Sequence, residues 1–168
     1  MGNEGKIVAF DIHPHRTELI KLNKERLGLS IIEEKVADAT VLDESLIGKA
    51  DKVLMDVPCS GIGIAKRKPE LKYKSEHDEL PEIQYKILSN GAKYLKKGGE
   101  MVYSTCTLFK SENEEVVERF LKENPDFSLV SFGSILPDGF REDKDGMMTV
   151  LPDTVDADGF FVAKLKKN

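Results

Sequence analysis

The sequence predicts an α/β fold on a mostly parallel sheet, closed by an antiparallel C-terminal strand. Two patterns carry this reading. Short apolar runs alternate with helical patterns through most of the 168 residues, as strand–helix–strand units with a parallel sheet require. The last two apolar runs have no helical stretch between them, so they read as antiparallel neighbours. A third observation concerns the strand ends. Three runs stop at or near an aspartate, and the chain's two cysteines lie in turns that directly follow apolar runs.

Taken in order, Ile7-Val8-Ala9-Phe10 reads as a strand ending at Asp11. Pro14 suits the first turn of the next helix, where its missing N–H is harmless. Leu19, Ile20, Leu22, Asn23 and Leu27 recur at helical spacing until Gly28, a good C-terminal stop. Ile31 to Val36 is the second strand, ending near Asp38, and Lys52 to Asp56 is the third. From Pro81, the residues Ile83, Ile87, Leu88, Ala92 and Leu95 make one helical face, closed by Gly98-Gly99. Glu100 to Ser104 is the fourth strand. Ser111-Glu112-Asn113-Glu114 reads as a capping box, with Ser111 accepting from the N–H of Glu114 and the Glu reaching back. Val116, Val117, Phe120 and Leu121 form that helix's inner face. Phe127 to Phe132 and Phe160 to Leu165 are the closing strands. Gly133 to Gly159 between them reads as one long connection, of a length that usually serves a function or moves.

Bulk composition narrows the class. With 40% hydrophobic and 33% charged residues, residues 1–168 read as a single ordinary globular domain. No apolar run approaches the roughly 18–20 residues that span a bilayer, and Met1-Gly-Asn-Glu-Gly-Lys6 lacks an apolar signal region. No membrane partner is expected, and a cytoplasmic location is. Two cysteines without C-x-x-C or Cys/His spacing argue against a disulfide framework and against a metal site. A net charge of −5 does not predict nucleic-acid binding, so any such binding needs a local basic patch. Ala65 to Lys74 supplies one, with five basic residues against one acid. Lys66, Arg67, Lys68 and Lys72 suit RNA phosphates and Tyr73 suits base stacking. A solvated charged loop is the plainer alternative.

An acid at the carboxyl end of a parallel strand can accept hydrogen bonds from ribose hydroxyls or an adenine amine. One alone is an ordinary polar cap; Asp11, Asp38 and Asp56 at successive strand ends favour a nucleoside-containing cofactor. The glycine-rich turn that usually opens a nucleotide-binding sheet has no room before Ile7. Gly61-Ile62-Gly63 lacks the third glycine and reads as a flexible wall of the site. Asp56-Val-Pro-Cys-Ser-Gly61 and Ser104-Thr-Cys-Thr107 then place an acid and two thiols at one sheet edge. A thiolate can add to C6 of a cytosine or uracil, which makes C5 nucleophilic enough to take a methyl group from a sulfonium. A nearby acid assists at N3, and a base removes the C5 hydrogen. Asp56, Cys59 and Cys106 are the residue types this needs, and the residues alone do not choose which thiol attacks. A dithiol redox pair would need Cα atoms within about 7 Å and lacks the C-x-x-C setting.

Several stretches together resemble the Sun/Fmu-type RNA (cytosine-C5) methyltransferases, and within them the bacterial small-subunit rRNA methyltransferase B group. They are Val8-Ala-Phe-Asp-Ile-His-Pro-His-Arg16, Asp56 to Gly61, Lys66-Arg-Lys-Pro-Glu70, Pro81-Glu-Ile-Gln84, Tyr103-Ser-Thr-Cys-Thr107 and Asp158-Gly-Phe-Phe161. The resemblance implies a class I, Rossmann-like fold using S-adenosyl-L-methionine, with small-subunit rRNA as partner. It implies Cys106 as nucleophile, Cys59 as the thiol that helps release product, and Asp56 as the acid touching cofactor and base. It also implies Asp11 as the ribose acid and Asp38 as the one near the adenine. Members carry an N-terminal helical RNA-binding domain and an Ala-Pro-Gly-Gly-Lys-like turn after a first strand. Neither is in this sequence, so the resemblance implies an N-terminally truncated catalytic domain of a longer enzyme. The alternative is a non-catalytic RNA-binding remnant using Lys66 to Lys74.

Overall fold

The computed structural model describes residues 1–73, 79–137, 139–153 and 156–168. They form two compact units, Met1–Leu42 and Asp43–Asn168. The first holds β1 (Ile7–Asp11), α1 (Pro14–Arg26) and β2 (Ile32–Val36). Its two strands pair in parallel, with Ile7 opposite Ile32 and Asp11 opposite Val36. Pro14 opens the helix as expected. Gly28, at φ +65°, ends it: Leu27 N donates to Asn23 O at 3.0 Å and Leu29 N to Lys24 O at 2.8 Å, the left-handed stop that glycine permits. Thr17 is the only buried residue among the described residues of this unit. Leu19, Leu22 and Leu27 are each more than half exposed, so the spacing that marks the helix does not mark a buried face.

The second unit holds β3 (Ala50–Asp56), α2 (Leu80–Tyr94), β4 (Leu95–Thr105), α3 (Glu114–Glu123), β5 (Phe127–Leu129), β6 (Met147–Val150) and β7 (Phe160–Lys167). Its sheet runs β3-β4-β7-β5, with β6 also on β7. β3 and β4 are parallel, and β7 is antiparallel to both β4 and β5. β3, β4 and β5 therefore share one direction around a single reversed closing strand, the arrangement the sequence predicts. The expected face of α2 is there: Ile87, Leu88 and Ala92 pack with Val116, Val117 and Phe120 of α3 against Met55, Met101, Tyr103, Phe161, Ala163 and Leu165. Alternate residues of β4 and β7 turn inward, as a pleated strand with one covered face demands. Each large side chain so buried contributes about 1.5–3 kcal/mol.

Four local expectations differ from what forms. Met147–Val150 is a strand inside the stretch read as one loop, because Met147 to Val150 find partners on Ala163 to Phe160. α2 stops at Tyr94 and β4 begins at once with Leu95, so Gly98 and Gly99 lie within the strand and not at the helix end. β5 stops at Leu129. The capping box does not form: α3 starts at Glu114 behind Asn113, which makes no side-chain cap. Glu112 and Asn113 are instead drawn into buried hydrogen bonds described below. Among the described residues no helix is long and apolar enough to cross a membrane.

Candidate active site

Two paired parallel strands, β3 and β4, deliver the two cysteine turns from neighbouring ends. Asp56 at the end of β3 lies opposite Ser104 on β4, and Val57 N extends the ladder to Ser104 O at 3.1 Å. The chain then turns through Pro58-Cys59-Ser60-Gly61 on one strand and Cys106-Thr107 on the other. The half-buried thiols meet, with Cys59 Sγ and Cys106 Sγ 3.1 Å apart. Cys106 N also donates to Cys59 Sγ at 3.3 Å.

Gly61, at φ +78°, makes the turn that carries the chain past the thiols. Gly63 is a different case, since space and not φ excludes a side chain. A Cβ there would overlap Gly159 O and lie 2.8 Å from Cys106 O. Gly63 N donates to Cys106 O at 2.9 Å and Gly63 O accepts from Gly159 N at 2.9 Å. The glycine wall expected to be flexible is thus locked between the Cys106 turn and the Asp158-Gly159 segment.

Sequence reasoning missed the residues that hold these turns. Gln84 Nε2 of α2 donates to Pro58 O and to Glu112 Oε2, both at 2.9 Å. Ser60 N donates to the same Glu112 oxygen at 2.9 Å. Ser60 and Thr107 hydroxyls meet at 2.6 Å. Asn113 accepts from Thr105 Oγ1 at 2.6 Å and its Nδ2 donates to Thr107 O at 3.1 Å. Tyr103 OH donates to Glu112 O at 2.6 Å. The residues flanking each cysteine are therefore gripped by buried side chains. One signal was available: Gln84 is a polar residue on the apolar stripe of α2.

The thiol contact moves the two cysteines in opposite directions. Hydrogen bonding from Cys59 holds the Cys106 thiol down at about 7, against burial and the negative charge of Asp56. The same contact, with burial, pushes Cys59 up. The pair thus favours a single thiolate on Cys106, with Cys59 keeping its proton, and a thiolate is the nucleophilic form.

Other predicted residues lie as follows. Asp56 is exposed at the end of β3. In the first unit, Asp11 Oδ1 accepts from His13 N at 2.8 Å, with Arg16 at 3.7 Å from Oδ2. Asp38 Oδ1 accepts from Thr40 N and Oγ1 at 2.8 and 2.7 Å. In the basic loop, Lys66 pairs with Asp156 and Arg67 with Asp158, each at 2.8 Å. Asp158 is buried, so Arg67 anchors the segment that carries Gly159. Lys68, Lys72 and Tyr73 are exposed; Lys74, the end of the expected basic run, lies outside the described residues.

A family model described as 16S rRNA methyltransferase RsmB/F matches residues 1–166. The chain belongs to the RsmB/F family. It is 41% identical to the Bacillus subtilis protein named probable ribosomal RNA small subunit methyltransferase B, over 99% of this chain and 39% of that protein. It is 33% identical to the Escherichia coli ribosomal RNA small subunit methyltransferase F, over 99% and 36%. The crystal structure of NSun6 from Pyrococcus horikoshii with SFG matches with a TM-score of 0.83 and 31% identity, over 98% of this chain and 42% of that one. The fold is accordingly the Rossmann-like class I methyltransferase fold. The chain spans about two fifths of the length of the curated relatives it matches.

Proposed function

We propose that this chain carries the catalytic cysteine pair of an S-adenosyl-L-methionine-dependent enzyme that methylates cytosine C5 in small-subunit rRNA. The observation that supports it most is the thiol pair, 3.1 Å apart at the carboxyl ends of two parallel strands. The donor chemistry suits the cofactor. A carboxylate has about four acceptor sites, and at Asp11 one oxygen takes a backbone N–H from His13. Asp11 is assigned the ribose hydroxyls, Asp38 the adenine end, and Asp56 both cofactor and target base. When bound, the cofactor supplies an electrophilic methyl on a sulfonium sulfur.

The residues act in sequence. Cys106, as thiolate, bonds to C6 of the target cytosine while Asp56 hydrogen-bonds or protonates at N3. C5 becomes nucleophilic and takes the methyl. A base removes the C5 proton, the Cys106–C6 bond breaks, its electron pair returns to the Cys106 sulfur, and N3 gives back to Asp56 any proton it took. Cys59, in contact with that sulfur, hydrogen-bonds to the departing thiolate. Lys68, Lys72 and Tyr73 would meet the RNA beside the site, and Lys66 and Arg67 would do so only in exchange for Asp156 and Asp158.

The test is covalent trapping, with the chain supplied together with the remainder of a family member's length. RNA containing 5-fluorocytosine has no C5 hydrogen to lose, so the adduct should survive denaturing electrophoresis when cofactor is present. On ordinary RNA, Cys106→Ala should form no adduct and Cys59→Ala should accumulate it. The reverse pattern would exchange the two roles. An RNA-binding remnant would retain RNA and form no adduct in any variant.

A further inference from the structure

Directly behind the thiols lies a buried acid that the chemistry above does not use. Glu112 is 1% exposed. One of its oxygens takes Ser60 N and Gln84 Nε2; its other oxygen, and the side-chain oxygen of Gln84, have no hydrogen-bond partner among the described residues. Burying a carboxylate and an amide with two of their three acceptor oxygens unfilled is a poor way to stabilise a core, where apolar side chains of similar volume serve as well or better. What the two residues achieve is geometric. Pro58 O and Ser60 N are the peptide groups on either side of Cys59, and Gln84 and Glu112 hold one each while holding each other. Glu112 is itself fixed by Tyr103 OH on its carbonyl. The next residue, Asn113, grips both neighbours of Cys106.

We infer that Glu112, acting with Gln84, is a positioning residue that seats the Cys59 turn so that its thiol rests on Cys106. The role of that contact in turnover rests on the methyltransferase reading; the seating of the thiols does not.

The experiment uses the 168-residue chain without RNA. Alkylation of each cysteine by iodoacetamide is followed against pH, with mass spectrometry separating the two sites. Cys106 should react in the parent with a midpoint near 7. In Glu112→Ala the midpoint should rise toward that of an ordinary thiol. The rate at pH 7 should then fall about fivefold, since the lost thiolate fraction outweighs the higher nucleophilicity of the more basic sulfur. Glu112→Gln keeps an acceptor for Ser60 N and should restore the parent profile. Gln84→Met removes the bond to Pro58 O with little loss of volume, should fold even if Glu112→Ala does not, and should shift the midpoint the same way by less. A merely structural role would lower the melting temperature of these variants and leave the Cys106 midpoint unmoved, and that result overturns the inference. If the trapping reading also holds, Glu112→Ala should accumulate RNA adduct as Cys59→Ala does. A parent that traps no RNA at all counts against the function, while the alkylation profile still decides the positioning.

Discussion

The two cysteine turns and the two first-unit acids are built in opposite ways. Each cysteine turn has partners far away in sequence, beside the nearer grip of Asn113 on the Cys106 turn: Ser60 to Glu112 spans 52 residues, Ser60 to Thr107 spans 47, and Gln84 to Glu112 spans 28. Those partners are buried within a unit that contains the apolar core. Asp11 and Asp38 are held by the backbone two residues on, in a unit where Thr17 is the only buried residue described. A group whose placement must be exact to a fraction of an ångström is fixed by converging long-range contacts. A hydrogen-bond acceptor for a flexible ligand hydroxyl tolerates a local cap.

That contrast makes Gly63→Ala the most damaging change. The new Cβ would meet backbone atoms on both sides, Gly159 O and Cys106 O, and backbone cannot swing aside like the end of a side chain. We expect a loss of about 3 kcal/mol or more together with loss of the lowered Cys106 midpoint. A chemical melt with near-parental stability would show the wall to be looser than its two hydrogen bonds imply.

Next comes Cys59→Ala, which isolates the thiol contact from the brace around it. An acid whose ionised form loses a hydrogen-bond donor titrates higher, so the Cys106 midpoint should climb from about 7 to at least that of an ordinary thiol, about 8.5. Burial and the charge of Asp56 act in the same upward direction. Alkylation of Cys106 in the variant, read against pH, checks this. An unmoved midpoint would mean that the backbone alone activates Cys106.

The same contrast explains what could be read in the sequence. Asp11, Asp38 and Asp56 were legible because strand ends are local, and so were Pro14 and Gly28 as helix punctuation. The cysteine turns were legible because each follows an apolar run directly. Glu112 and Asn113 were passed over as the spacers of a capping box because a local pattern matched, whereas their partners are Ser60 in the turn after β3, Gln84 on α2, Tyr103 and Thr105 on β4, and Thr107 in the turn after β4. β6 escaped for a similar reason: four residues have no period of their own and become a strand only against β7. Neither the chain's division into two units nor the exposure of Leu19 and Leu22 follows from apolar spacing, which reports a periodic face and not what covers it.

Asn113→Ala tests the brace where it touches Cys106. The change removes the bonds to Thr105 Oγ1 and Thr107 O from residues that are 0% exposed. Two buried groups left unpaired cost about 1–3 kcal/mol each before relaxation. The net loss should be about 2 kcal/mol by denaturant melting, smaller than for Gly63→Ala because a cavity can admit water where an overlap cannot. A loss below the noise would place the rigidity of the Cys106 turn in the strand ladder alone.

Asp38→Ala should have the smallest effect on stability and is the sharpest test of the contrast. It removes bonds to Thr40 N and Thr40 Oγ1. A local, half-buried polar turn contact of this kind contributes about 0.5–1 kcal/mol, or a few degrees at most in melting temperature for a chain of this size. Asp11→Ala, which frees His13 N, should be as mild. Binding should respond differently. With the chain supplied together with the remainder of a family member's length, each variant should lose about tenfold or more in S-adenosyl-L-methionine affinity by calorimetry, since one charge-assisted hydrogen bond is worth about that factor. A cheap fold change with a costly binding change is what a ligand acceptor on a local cap must show. Should Asp38→Ala instead melt like Asn113→Ala and bind the cofactor unchanged, the acid belongs to the architecture of its unit, and the assignment of the adenine end to it fails.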